Sequence, residues 1–229
     1  MKTIYTFGNG KAEGRADMKD LLGGKGANLA EMNLIGVPVP PGFTITTDVC
    51  KIYNHKGREA VVELIKEKAI RHIESLTGNK FDDSENPLLV SVRSGAPVSM
   101  PGMMDTVLNL GINDAVAETL AIKSKNQRFA WDSYRRFVQM YGDVVLGMKP
   151  ENKDDIDPFE EIIESVKEKK GVKFDTDLDV DDLKQLVILF KEAVLKSTGK
   201  EFPSSGWDQL WGAIYAVFDS WNNDRAILY

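Results

Sequence analysis

The chain has 229 residues, 42% hydrophobic and 28% charged, with a formal net charge of −6 and a single cysteine. That length and balance suit one large or two small globular domains. The acidic surplus argues against a nucleic-acid partner but leaves room for a small anion held by a few basic groups. One cysteine, Cys50, excludes an intrachain disulfide and a multi-cysteine zinc site.

Residues 1–15 begin with a strand in TIYTFG and a polar turn. No apolar stretch there resembles a secretory signal, and no run approaches the about 18–20 residues that span a bilayer, so a cytoplasmic protein without a membrane partner is expected. Gly26–Leu34 reads as a helix with Leu29, Met32 and Ile35 on one side, ended by Gly36 and the prolines 38, 40 and 41. A short strand, Phe43–Thr46, follows, and Thr47 is placed to cap a helix from Asp48. Cys50, near that helix start, reads as a small packed residue, and His55 and His72 as surface or rim residues. Over 58–77 the spacing of Val62, Ile65, Ala69, Ile73 and Leu76 predicts one amphipathic helix. The run 88-LLVSV-92 is a buried strand bounded by Pro87 and Gly95.

Beyond residue 112 strand signals vanish. Helices are predicted at about 127–146 (Ala130, Tyr134, Phe137, Tyr141, Val144), 158–170, and from Asp181 to Ser197 (Leu183, Val187, Phe190, Val194). A last helix, 204–221, carries Trp207, Trp211, Ile214, Phe218 and Trp221 as an expected core stripe. The apolar end 225-RAILY-229 reads as the start of a strand, as in a piece of a longer chain. The α+β organisation expected is an α/β lobe over 1–111, a helical subdomain over 112–202, and a helix over 203–229 returning to the first lobe.

Four places could carry chemistry. The glycines of 23-GGKG-26 let a backbone approach an anion, the helix start offers free N–H groups, and Lys25 adds charge. The spacing is neither a Walker A loop nor GxGxxG, since Gly26 and Leu29 stand where those motifs need other residues. The plain alternative is a turn with a solvated lysine. Arg93 ends a strand before SGAP, where a guanidinium can fork onto phosphate oxygens or simply bridge to a carboxylate. The loop 99-SMPGMMD-105 is either a surface turn or a cover over a ligand, with Ser99, Asp105 and Thr106 as polar contacts. The acidic run 175-DTDLDVDD-182 fails as a calcium loop, because Val180 and Leu186 replace the required Gly and Glu; Asp179 reads as a helix cap. Arg128, Asp132, Arg135 and Gln139 share a polar helix face, either solvated or docking an anionic partner. No histidine stands in a motif with Ser or Cys, so a nucleophilic triad has no support.

The segments 22-LGGKGANLAEMNLIGVPVPPGFTITT-47, 89-LVSVRSGAPVSMPGMMDTVLNLG-111, 128-RFAWDSYRRFVQMYGDVV-145 and 216-AVFDSWNNDRAILY-229 closely resemble the N-terminal part of the pyruvate, phosphate dikinase family. Phosphoenolpyruvate synthases and glucan water dikinases share the GGKG helix and the V-R-S strand end, but MPGMMDT is similar to the phosphate-using dikinases. The resemblance implies an ATP-grasp fold with its third subdomain missing. It implies a kinase that binds ATP with Mg2+ and transfers phosphoryl groups through a histidine on a separate swivelling domain. ATP, phosphate and pyruvate would become AMP, pyrophosphate and phosphoenolpyruvate. Lys25 and Arg93 become ATP-phosphate ligands, with Gly24, Gly26, Met103, Asp105 and Thr106 around the nucleotide. Metal ligands, carrier histidine and pyruvate site are expected outside these residues, the full-length protein as a homodimer, and this chain alone as inactive. The rivals are phosphoenolpyruvate synthase, with water for phosphate, and a non-catalytic module docking through the Arg128–Arg135 face.

Overall fold

The computed structural model describes residues 2–65, 68–95, 106–150 and 155–221. Helices and short strands are mixed along the chain, and two compact units emerge. One comprises Met1–Phe81, Arg93–Asp105 and Val217–Tyr229; the other comprises Asp82–Val92 and Thr106–Ala216.

In the first unit, β1 (Ile4–Gly8) lies between β2 (Lys11–Ala12) and β3 (Gly42–Ile45) in an antiparallel sheet, with Tyr5 opposite Thr44 and Phe7 opposite Gly42. A Cβ on Gly42 would come within 2.6 Å of the Phe7 ring, so glycine is what lets that ring cross the strand. The helices are α1 (Lys19–Leu34), α2 (Thr47–Lys56), α3 (Arg58–Ile65) and α4 (Lys68–Thr77), followed by β4 (Lys80–Phe81). The helix expected over 58–77 is present on both sides of residues 66–67, which lie outside the described residues.

The expected face of α1 is corrected. Ile35 is 68% exposed, and the buried side is Leu22, Gly23, Gly26, Ala27, Ala30 and Asn33. Small residues win here because the helix lies close on β3: a Cβ on Gly26 would sit 2.6 Å from Thr44 Cγ2. Buried Asn33 is satisfied by donating to the Lys11 carbonyl and accepting from the Gly10 N–H. The cap of α2 also differs. Thr46 holds the capping position, while the Thr47 hydroxyl donates to the Asp20 carbonyl at 2.8 Å and ties α2 to the start of α1.

The second unit takes β5 (Pro87–Leu88), then β6 (Val90–Arg93) paired with β7 (Thr106–Leu110), then α5 (Asp114–Ser124), α6 (Gln127–Val144), α7 (Pro158–Lys170), α8 (Val180–Thr198) and most of α9 (Gly206–Ser220). The stripes Ala130–Tyr134–Phe137–Tyr141 and Leu183–Val187–Phe190–Val194 are buried as expected. Asp179 caps α8, accepting from the Asp181 and Asp182 N–H groups. Two elements are not foreshadowed by sequence pattern. The helix α5, capped by Asn113, buries only Val116, Ala117 and Ala121, a stripe too small to stand out. Strand β7 is the other. In α9 the buried residues are Leu210, Ala213, Ile214, Val217 and Phe218; Trp207, Trp211 and Trp221 are only half-buried at its flanks.

Gln209 is the polar keystone of this unit. Fully buried, it accepts from the Gly111 N–H at 2.8 Å and donates to the Ile112 and Pro203 carbonyls. Among the described residues no helix is long and apolar enough to cross a membrane.

Candidate functional site

The backbone of α1 breaks at Gly23, with φ 69° and ψ 163°. That region is open essentially to glycine alone. Residues 19–22 therefore form a separate turn, and a fresh helix start lies at Gly24. The first N–H groups of a helix lack an intrahelical partner and stand at the positive end of its dipole. The charge of Lys25, which is exposed, is thus carried on the first turn of a helix.

A second segment meets this one. Strand β6 ends at Arg93, followed by Ser94, which is 1% exposed, and Gly95. A Cβ on Gly23 would lie 2.0 Å from the Gly95 oxygen and 2.7 Å from its carbonyl carbon. A Cβ on Gly95 would lie 3.5 Å from Lys25 Cβ. The two glycine-bearing segments, some seventy residues apart, therefore touch backbone to backbone. Arg93 is exposed, and among the described residues neither it nor Lys25 has an ion-pair partner.

A third segment holds the second. Trp221 Nε1 donates to Ser94 Oγ at 3.2 Å. Trp221 follows the end of α9, which is seated on α2: the Phe218 ring lies 5.1 Å from that of Tyr53, and the Tyr53 hydroxyl donates to Asp219 at 2.7 Å. Burial, and then the bond to Asp219, raise the Tyr53 pKa. Burial first, and then the Asp219 charge, push the Cys50 thiol up to about 11, so the cysteine is packed and unreactive, as expected. His55 is exposed, and His72 Nε2 lies 3.3 Å from the Phe7 carbonyl.

The sequence-predicted residues are thus placed as follows. Gly24, Lys25 and Gly26 form the helix start, with Gly26 buried against Thr44, and Arg93 stands beside the segment that abuts it. Met103 and Asp105, with the rest of the loop 99–105, lie outside the described residues. Thr106 opens β7 in the other unit. Sequence pattern marks Gly23 only as the first residue of GGKG, and it does not single out Ser94, Gly95 and Trp221 as parts of this frame. The only signals are a second glycine ahead of Lys25 and the Ser-Gly pair after Arg93.

The polar face of α6 is corrected. The Arg135 side chain is 5% exposed and pairs with Asp132 at 2.7 Å, with Gln139 accepting from it at 3.2 Å. Arg128 donates to the Leu178 and Asp175 carbonyls. Burial works upward on the Asp132 carboxyl, but the bonds and charges of Arg135 and Arg136 outweigh it and hold the pKa below the usual range. Both arginines that a docking surface would need are consumed inside the unit. Among the described residues no group of three or more His, Cys, Asp or Glu could hold a metal ion.

The sequence model of the family described as "Pyruvate phosphate dikinase, AMP/ATP-binding domain" matches residues 19–80 and 65–229. The chain is 54% identical over 232 residues to a pyruvate, phosphate dikinase of Clostridium symbiosum, covering all of this chain and 25% of that protein. It is 52% identical over 231 residues to the one from Rhizobium meliloti, again with 100% and 25% covered. The chloroplastic pyruvate, phosphate dikinase 1 of Arabidopsis thaliana is 54% identical over 230 residues, with 100% and 23% covered. The chain spans about a quarter of the length of the curated relatives it matches.

Proposed function

The chain belongs to the pyruvate phosphate dikinase AMP/ATP-binding domain family, and from that membership we propose that it grips the phosphates of ATP for a dikinase that forms AMP, pyrophosphate and phosphoenolpyruvate from ATP, phosphate and pyruvate. Phosphoryl transfer is mainly positioning and charge neutralisation. Lys25 supplies a point charge, Arg93 a planar fork for two phosphate oxygens, and the helix start at Gly24–Gly26 backbone N–H groups. Met103, Asp105 and Thr106 are further nucleotide-binding residues of this proposal, carried over from the family. The fold is the first part of an ATP-grasp domain, divided at about 111 and 202. Mg2+ is held by carboxylates outside these 229 residues. The phosphohistidine domain, the pyruvate site and the dimer interface belong to the rest of a longer protein.

The observation that carries this reading is the contact of Gly23 with the Gly95 backbone. It joins two cation-bearing segments at a helix start, and neither cation has an ion-pair partner among the described residues. The test is titration of the intact protein with ATP by calorimetry, alongside Lys25→Ala and Arg93→Ala. Each variant is expected to bind about tenfold or more weakly, the loss of a charged hydrogen bond. Unchanged affinity in both would sink the reading. Turnover that needs inorganic phosphate and releases pyrophosphate separates this dikinase from a water-using synthase.

A further inference from the structure

A buried hydroxyl stands between Arg93 and Trp221. Ser94 directly follows Arg93 and is 1% exposed, and its Oγ accepts a hydrogen bond from Trp221 Nε1 at 3.2 Å. We propose that Trp221 is a positioning residue for ATP, fixing Arg93 through Ser94. The proposal rests on the reading of Arg93 as a phosphate ligand.

Three features of the first unit support it. Arg93 has no ion-pair partner among the described residues, and the contacts that those residues show fix the backbone that carries it. Two residues after Arg93 the chain is held by the approach of Gly95 to Gly23 and Lys25, and one residue after it by the bond to Ser94. The anchor for Ser94 is itself held by further contacts. The Trp221 N–H bonds the Phe218 carbonyl at 3.2 Å, and the Ser220 hydroxyl donates to the Val217 carbonyl at 2.7 Å. Phe218 and Asp219 are pinned to Tyr53 by ring contact and hydrogen bond. From α2, through the end of α9, to Ser94, each link is a packed or hydrogen-bonded contact. Side chains that must meet a ligand within a fraction of an ångström need such support. An indole suits this role because it fills a half-buried site with its ring and offers one fixed N–H donor and no acceptor.

The experiment is a double-mutant cycle on ATP affinity in the intact protein, measured by calorimetry with thermal unfolding recorded for every variant. Trp221→Phe keeps most of the ring and removes the donor. Ser94→Ala removes the acceptor and is the smaller change, which keeps the test open if the tryptophan variant folds poorly. Trp211→Phe, within α9 and stacked on Tyr215, controls for loss of a tryptophan in general. Trp221→Phe and Ser94→Ala should each weaken ATP binding about threefold to tenfold, the usual net effect of one hydrogen bond. In the Arg93→Ala background each should change affinity by less than about twofold, because the group being positioned is gone. Trp211→Phe should leave ATP affinity unchanged.

A structural role alone would lower the melting temperature and leave this coupling absent. If Arg93→Ala weakens binding while Trp221→Phe and Ser94→Ala do not, the positioning role is wrong and the phosphate reading stands. Equal losses with and without Arg93 would also overturn it, because Trp221 would then act by another route. If Arg93→Ala itself has no effect, Arg93 is not a phosphate ligand and this proposal falls with that assignment.

Discussion

Replacing Gly23 by alanine tests the frame of the site at its narrowest point. The residue sits at φ 69° and ψ 163°, where a side chain costs about 1–3 kcal/mol in backbone strain. The new Cβ would also lie 2.0 Å from the Gly95 oxygen. That atom is backbone and cannot swing away like a side chain, so overpacking adds about 1–3 kcal/mol. The sum, roughly 2–6 kcal/mol, is a large part of a typical domain stability of about 5–15 kcal/mol. Urea unfolding followed by circular dichroism measures it, and two other glycines separate the contributions. Gly10→Ala has φ 74° but nothing within 4 Å, so it reports strain alone, about 1 kcal/mol. Gly95→Ala brings its Cβ no closer than 3.5 Å to Lys25 Cβ, an ordinary contact, and should cost under about 1 kcal/mol. The expected order is Gly23, then Gly10, with Gly95 least. A Gly23→Ala protein no less stable than Gly10→Ala would refute the claim that the two segments are held in backbone contact.

Three further outcomes are expected. Gln209→Leu leaves the Gly111 N–H and the Ile112 and Pro203 carbonyls without their buried partner, and should cost roughly 2–4 kcal/mol in urea unfolding. Arg135→Ala should destabilise by about 3–5 kcal/mol, since it strips a buried partner from Asp132 and Gln139; unchanged melting with loss of a binding partner would instead restore the docking role of that face. Burial first, then Asp157 and Glu160 against a lowering by Lys149, push Asp143 up to about 6 from its ordinary 3.8, and its Oδ1 is buried without a hydrogen-bond partner among the described residues. Because the folded carboxyl holds its proton more tightly, its contribution to stability is full below pH 3.8 and is lost as pH rises through about 6. Asp143→Asn removes that loss. Its unfolding midpoint should gain on the wild type between those pH values, by on the order of 1–3 kcal/mol near neutrality, and a pH-independent difference would show the shift to be absent.

Elements with bulky apolar residues at regular spacing were legible. The stripes of α6 and α8 needed only helical periodicity, and the capping role of Asp179 only its position before two acidic residues. Where small residues carry the packing, the pattern misled. In α1 the large residues Met32 and Ile35 face outward, because a close approach to β3 selects Gly26, Ala27 and Ala30 for the buried side. In α9 the tryptophans drew attention, yet Leu210, Ile214 and Phe218 are the residues that go fully inside. Arg135 looked like a surface charge because its partners at i−3 and i+4 also suit a solvated helix; its burial comes from the packing around α6.

At the site the division is similar. Residue type alone is enough to propose Lys25, Arg93 and the glycines beside them, since cations and glycine-opened helix starts suit anions whatever surrounds them. That Gly23 and Gly95 touch, that Ser94 is buried, and that Trp221 reaches it could not be read from the chain. These contacts join residues 23, 95 and 221. Local periodicity reports only which face of an element is apolar. Which distant backbone that face meets, and how closely, is decided when the elements pack.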